Sequence, residues 1–269
     1  SVLRLKSSGG TRLGALVTNP GGPGGSGVDF ARAARSIFPE QVLAAYDVVG
    51  FDPRGVQRSS PIECLTDAQY DAFIALDGTP DDKAEVTQIE AAVKQFADGC
   101  KAKSGAMLAH VGTPDSARDM DVLRAALGED KLDYVGFSYG TLLGATYADL
   151  FPTKVGRMVL DGAVDPTLGN IGLQHGQAKG FELALRRFVE NCQQQSDCPL
   201  PDGTQAGRDS IKTLLDDLDS EPLPTGQTVT LNHDGTFTVH ADSDVSALNF
   251  TYTVDNGLGD SDVGFITLN

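Results

Sequence analysis

No stretch of this 269-residue chain is long and apolar enough to cross a bilayer as a helix. No signal peptide begins it, and Ser1 in place of Met suggests a mature or trimmed product. Basic residues are scarce: Lys and Arg total 21 against 37 Asp and Glu, a formal net charge of −16. Such a surface disfavours nucleic acid and anionic membranes, and solubility is reason enough for the acidity. Histidine is scarcer still, four in all. Cysteine stops at four: Cys64, Cys100, Cys192 and Cys198. None has a second Cys or His at ligand spacing nearby, so no metal is expected, nor any cofactor. An even count permits two disulfides with three connectivities. Cys192 and Cys198 bracket a short polar loop that a local bridge closes, and Cys64 then pairs with Cys100 across a helical excursion. This cysteine usage points to a secreted, extracellular protein.

With 40% hydrophobic residues, the length allows one large domain or two smaller ones. Residues 13–18 and 46–51 read as buried strands, and Leu132 to Val135 and residues 155–160 as two more. Residues 83–101 and 115–127 have helical periodicity, the second with Ala117, Met120, Leu123, Ala126 and Leu127 on one face. Strands alternating with helices imply a parallel sheet covered on both faces, with its chemistry at the carboxyl ends of the strands. Four unusual loops fall at such ends: Asn19 to Gly27, Asp52 to Gly55, Gly136 to Gly140, and Asp161-Gly162. Residues 172–219 read as helical and irregular, and hold the close cysteine pair.

The run Gly136-Phe137-Ser138-Tyr139-Gly140 joins a short apolar strand to a helix. That is a nucleophile elbow. The turn is too sharp for flanking side chains, so glycine clears both sides of a serine held in strained backbone with its hydroxyl exposed. The following helix aims N–H groups at negative charge developing there. The loop from Asn19 to Gly27 carries five glycines and two prolines. It reads as a rigid backbone loop in which Gly permits close approach and Pro fixes it. Such a loop supplies one N–H of an oxyanion hole, here assigned to Gly22 with Gly21 as the near alternative. The residue after the serine, Tyr139, supplies the other.

Four motifs stand in one order: Asn-Pro-Gly-Gly-Pro-Gly-Gly-Ser-Gly from Asn19, Asp52-Pro53-Arg54-Gly55 with Ser59-Ser60-Pro61, Gly-Phe-Ser-Tyr-Gly-Thr from Gly136, and Val-Leu-Asp-Gly-Ala-Val-Asp-Pro from Val159. Together they resemble the α/β-hydrolase peptidases related to proline iminopeptidase, above all secreted actinobacterial tripeptidyl aminopeptidases. The resemblance covers roughly residues 1–223. It implies an α/β fold: an incomplete α/β-hydrolase sheet with helices on both faces over residues 1–171 and a partial helical lid over residues 172–223, while the alternation beyond reads as a short all-β tail over residues 224–269. It also implies a serine exopeptidase that releases short peptides or an imino acid from substrates with a free N-terminus. Ser138 takes the nucleophile's place, and Tyr139 and Gly22 the oxyanion places. Asp52 and Arg54 match a motif read as structural, holding its loop near the site.

In this fold the triad runs Ser, acid, His. After Ser138 only His175, His233 and His240 remain. His175, at the start of the lid segment, is a weak candidate base, while His233 and His240 read as solvated positions near a hairpin turn and a strand end. Asp161, closing the strand after the elbow, is the candidate acid. A serine hydroxyl needs an adjacent base, so this chain alone is expected to be nearly inactive. Stopping after the elbow's neighbouring strand leaves a sheet edge that invites self-association. Beyond Glu221 the pattern alternates, as in Thr228-Val229-Thr230-Leu231 and Phe250-Thr251-Tyr252-Thr253-Val254. This tail resembles part of a cadherin-like or bacterial immunoglobulin-like repeat. Its acids Asp242, Asp244, Asp255, Asp260 and Asp262 read as solvated turn residues rather than calcium ligands. A non-enzymatic adhesion protein on a hydrolase scaffold, and an esterase, are the competing readings.

Overall fold

The computed structural model describes the backbone of residues 1–220, 227–231, 237–241, 248–255 and 261–268, and the side chains of residues 1–218. It divides into two units, Ser1–Gly169 and Asn170–Asn269.

The first unit begins with β1 (Val2–Leu5) and β2 (Gly14–Asn19), followed by three short helices, α1 (Gly27–Arg32), α2 (Ala34–Ile37) and α3 (Glu40–Ala45). Then come β3 (Tyr46–Phe51), α4 (Asp67–Ile74), α5 (Lys83–Leu108), α6 (Thr113–Ala126), β4 (Leu132–Phe137), α7 (Tyr139–Leu150) and β5 (Val155–Asp161). The five strands form one sheet in the order β1-β3-β2-β4-β5. Strands β2 to β5 are parallel, and β1 pairs antiparallel with β3, Val2 opposite Phe51 and Leu5 opposite Val48. The expected all-parallel sheet thus carries one antiparallel edge. No sixth strand lies beside β5 among the described residues.

Two apolar clusters sit on opposite faces, as the two-residue strand period requires. Ala15, Val17, Val49, Phe51, Leu132 and Tyr134 pack against Ala117 and Met120 of α6 and Leu143 and Tyr147 of α7. Val48 points the other way, onto Ala31 and Ala34 with Leu3, Leu5, Phe38 and Leu43.

The amino ends of the strands are tied by charge. The carboxylate of Asp47, 3% exposed, accepts from Arg4 Nε at 2.9 Å and from Arg12 Nε at 2.7 Å. The Ser7 N–H reaches its other oxygen at 2.8 Å. Arg12 continues to Glu129, which takes the Ala15 N–H at 3.0 Å. Burial works to raise the Asp47 carboxyl, but Ser7, Arg4 and Arg12 prevail and hold it well below the usual carboxylate range.

Helix α4 buries none of its residues and α5 buries only Cys100. Each is started by a capping box, Thr66 with Gln69 and Asp82 with Glu85. The excursion is fastened by the Cys64–Cys100 disulfide, 36 residues apart in sequence, and by the Phe73–Phe96 ring contact at 5.4 Å.

The second unit contains α8 (Asn170–Cys192) and α9 (Thr204–Ser220), with Cys192–Cys198 bridged in the connection. Val189 is buried, while Phe181, Phe188, Leu214 and Leu215 are exposed. Beyond lie two antiparallel hairpins, β6 (Gln227–Leu231) with β7 (Phe237–Ala241), and β8 (Leu248–Asp255) with β9 (Ser261–Leu268). The alternation read in the tail is therefore strand. His233, Asp242, Asp244 and Asp260 lie outside the described residues, and of His240, Asp255 and Asp262 only the backbone is described.

Two stability effects follow. Asp47→Asn leaves two guanidinium groups facing an amide. It is expected to cost about 2–4 kcal/mol, less than a fully buried pair because both arginines are partly in water. Because the folded-state pKa of Asp47 is depressed, its contribution is complete above the unfolded value of about 4 and is lost as pH falls towards the folded one. Urea titrations at neutral and acid pH should show the wild-type advantage over the variant shrinking on acidification. Separately, loss of the long disulfide removes about 3–4 kcal/mol of loop constraint. Limited proteolysis of a Cys64→Ser/Cys100→Ser double variant should cut first within residues 64–108 and leave the sheet intact.

Candidate active site

Ser138 lies between β4 and α7 with φ 51° and ψ −120°, a rare conformation for a residue with a Cβ. The side chain is exposed, and its hydroxyl makes no hydrogen bond among the described residues. The glycines on either side are required by distance. A Cβ on Gly136 would stand 2.3 Å from the Gly140 carbonyl oxygen, and one on Gly140 would stand 2.8 Å from that of Asn19.

Five hydrogen bonds hold the elbow. The Ser138 N–H donates to the Asp161 carbonyl at 2.9 Å. The Ser138 carbonyl accepts from the Thr141 N–H at 2.8 Å and from its hydroxyl at 2.7 Å. That hydroxyl accepts in turn from the Val164 N–H at 2.8 Å, tying the loop after β5 to the elbow. Beneath, Tyr134 donates to the Gly140 carbonyl at 2.7 Å. Burial pushes the Tyr134 phenol far above its ordinary value, with Tyr139 adding to the rise, so it stays a neutral donor.

The glycine-rich loop lies against this turn. A Cβ on Gly21 would fall 2.4 Å from the Phe137 carbonyl oxygen, 3.1 Å from Ser138 Cβ and 3.3 Å from the Tyr139 nitrogen. Gly21 also has φ +96°, where a side chain is strained in any case. Its N–H is taken by Asn19 Oδ1 at 2.9 Å, and its carbonyl by the Gly25 N–H at 3.1 Å. The Gly22 N–H has no hydrogen-bond partner among the described residues. Nor has that of Tyr139, the first residue of its helix and beyond reach of any intrahelical acceptor.

The far end of the loop is held by Asp52. Its buried carboxylate accepts from the Ser26 hydroxyl at 2.6 Å, the Val28 N–H at 3.2 Å and the Arg58 N–H at 3.3 Å. Arg54 does something different from the expected pairing with this loop: it grips Asp119 of α6 with two bonds of 2.7 and 2.6 Å and the His110 carbonyl at 2.9 Å. A cleft of about 610 Å³ opens beside this brace, lined by Phe51, Arg54, Asp119 and Val122. Neither Ser138 nor the glycine loop lines it. The exposed hydroxyl, not the volume of this cleft, marks the chemistry.

The structure thus brings Ser138, Tyr139 and the Gly21-Gly22 turn together, and sets Asp161 beside them through its backbone. The Asp161 carboxylate is exposed and unbonded among the described residues. His175 is exposed on α8 in the second unit. Sequence reasoning missed Asn19, Tyr134 and Thr141 as supports. The one available signal was polar groups inside otherwise apolar strand and helix runs.

A parallel sheet with a strained serine between strand and helix, faced by a glycine-rich loop from an earlier strand, defines a serine hydrolase of α/β type. The family described as alpha/beta hydrolase fold matches residues 14–210, and this chain belongs to it. A bacterial Ig domain matches residues 195–269; the two matches overlap at 195–210, where the structure has a loop and the start of α9. The chain is 44% identical over 211 residues to the serine protease Hip1 of Mycobacterium tuberculosis, covering 78% of this chain and 41% of that protein. It is 48% identical over 165 residues to a tripeptidyl aminopeptidase of Streptomyces coelicolor, 61% of this chain and 30% of that protein. It is 38% identical over 256 residues to carboxylesterase B of M. tuberculosis, 94% of this chain and 48% of that protein. The chain spans less than half the length of each of these relatives.

Gly21→Ala tests the approach of the loop. The new Cβ forces the loop off the Phe137 carbonyl, and labelling of Ser138 by a fluorophosphonate should slow by roughly 10–100-fold with an unchanged far-UV spectrum.

Proposed function

We propose that this chain carries the acyl-transfer half of a secreted serine exopeptidase. The carrying observation is the exposed, strained Ser138 beside two N–H groups, of Tyr139 and Gly22, that have no partner within the described residues. Ser138 Oγ attacks the substrate carbonyl carbon as a base takes its hydroxyl proton, the proton that the departing amine later receives. The carbonyl π electrons move onto oxygen, and the two N–H groups hold that charge. Collapse of the adduct expels the amine, which needs a proton, and leaves an acyl-enzyme that water hydrolyses. Asp161 is the proposed acid and His175 the weaker proposed base. With no base bonded to the Ser138 hydroxyl among the described residues, the expected rate of this chain is the residual of about 10³–10⁴-fold over water that the oxyanion hole and binding supply.

The substrate class, a peptide with a free N-terminus giving up a short peptide or an imino acid, is supported by the names of the Hip1 and tripeptidyl aminopeptidase relatives. Export is supported by the two disulfides. The esterase reading is favoured by one observation, the match to carboxylesterase B over 94% of the chain. The Ig-like match supports an adhesive role for the tail alongside either activity.

Fluorophosphonate labelling decides the nucleophile. One adduct is expected, mapped to Ser138 and absent from Ser138→Ala. Because only the residual rate is expected, labelling is followed to long times, and a folded chain that takes no more label than Ser138→Ala removes the acyl-transfer reading and leaves the binding one. Loss of label in His175→Ala, with the fold intact, makes His175 the base. A tripeptide chromogenic substrate and a short acyl ester, compared at equal concentration, separate peptidase from esterase.

A further inference from the structure

We propose that Arg54 is a positioning residue for the oxyanion hole: through α6, Thr113 and the Tyr139 phenol it holds the peptide whose N–H takes up the charge. This rests on the acyl-transfer reading of Ser138.

The turn Asp52-Pro53-Arg54-Gly55 follows the carboxyl end of β3 and works in two directions. Asp52 serves the glycine loop. Arg54 turns to the connection between α5 and α6. Its Nη1 donates to the His110 carbonyl at 2.9 Å, just before α6, and its Nε and Nη2 donate to the two oxygens of Asp119, in the second turn of α6, at 2.7 and 2.6 Å. One planar fork thus grips α6 on either side of Thr113, which fixes where the helix starts and how it is rotated. Gly55 closes on the same connection: at φ +79°, a Cβ there would stand 3.0 Å from Val111 Cγ1.

The start of α6 reaches the elbow. Thr113 is its first residue, and the Thr113 hydroxyl lies 2.9 Å from that of Tyr139 in a part-buried hydrogen bond. The body of the Tyr139 ring packs against the main apolar cluster. The ring is therefore held along its side and at its tip.

The backbone carries this constraint to the site. The peptide joining Ser138 to Tyr139 is planar, so its N–H points opposite the Ser138 carbonyl. Thr141 holds that carbonyl with its N–H and its hydroxyl. The anchored Tyr139 side chain holds the Cα at the other end of the plane. With both ends fixed, the N–H keeps one direction. A donor of this kind gains its effect from standing in place before the charge forms, so a small tilt is felt in the rate.

The measurement is the rate constant for fluorophosphonate labelling of Ser138, with far-UV circular dichroism to confirm the fold. Arg54→Gln, Thr113→Val and Tyr139→Phe each break one link and should slow labelling by about 3–10-fold, a fraction of the roughly 10²–10³-fold that losing a donor outright costs. Thr113→Ser keeps the hydroxyl and should label at the wild-type rate. Links in series are not additive: on the Tyr139→Phe background, Arg54→Gln should change the rate by less than about twofold. Arg118→Gln removes an ion pair with Asp115 on the same helix and should leave the rate unchanged, which separates positioning from general loosening of α6. Effects of Arg54→Gln and Tyr139→Phe that multiply in the double variant overturn the proposal. So does a rate indifferent to Tyr139→Phe, or an Arg118→Gln chain as slow as Arg54→Gln. Those outcomes, in a chain that labels, remove this proposal alone. A wild-type chain that labels no faster than Ser138→Ala removes the acyl-transfer reading and this proposal with it.

Discussion

Ser138 can keep φ 51° and ψ −120° only because its neighbours leave it no other place to go. A residue so placed costs on the order of 1–3 kcal/mol and reverts unless the surroundings over-determine it. Here the constraint comes from three elements at once. The end of β5 fixes the Ser138 N–H, the first turn of α7 fixes its carbonyl, and Tyr134 on β4 anchors that turn from below. The missing Cβ atoms of Gly136 and Gly140 let these elements close to contact distance. Beneath them, Tyr134, Leu143 and Tyr147 share one packed cluster, so the bend cannot relax without opening the core.

The two ends of the sheet are held by different physics. At the amino ends, Asp47, Arg4, Arg12 and Glu129 form a charged clamp, and Arg157 grips Asp133. At the carboxyl ends, the elbow and the start of the glycine loop are held by neutral donors and acceptors: Asn19, Tyr134 and Thr141. Of the carboxylates there, Asp52 is spent on the Ser26 hydroxyl and backbone N–H groups at the loop's far end, and Asp161 adjoins the elbow through its backbone carbonyl. Fixed charges near Ser138 would compete with the charge that forms on an attacked carbonyl. Dipoles position without competing, and they do not titrate in the range where a protein works.

Much of this was legible in the sequence. The buried strands β2, β3 and β4 announce themselves as short apolar runs that lead into glycine-rich or Asp-Pro turns, because a strand covered on both faces has no polar side to show. The elbow and its facing loop were legible for a related reason, since extreme proximity of backbones demands glycine in a recognisable pattern. β1 was not, being four half-exposed residues whose strand character comes from β3 beside it. The short helices α1 to α3 have too few turns to display a period. The supports Asn19, Tyr134 and Thr141 escaped because their partners are set by strand register and by the angle of α7, which no local pattern encodes. The partner of Arg54 escaped for the same reason, since Asp119 lies 65 positions away.

The proposed oxyanion donors are both backbone N–H groups of the first unit, so the charge-stabilising half of the proposed site calls on no side chain from later in the chain. Proton transfer is separable from it, because the base in this fold comes from later in the chain than the nucleophile. That separation bears on which substrates such a site favours. Both esters and peptides pass through an oxyanion that the two N–H groups would hold. They differ in departure: an alkoxide leaves an ester adduct with little help, whereas an amine leaves a peptide adduct only once protonated. A site that held the oxyanion but moved no proton would favour esters over peptides. The balance shifts to peptides as a histidine is brought to the Ser138 hydroxyl.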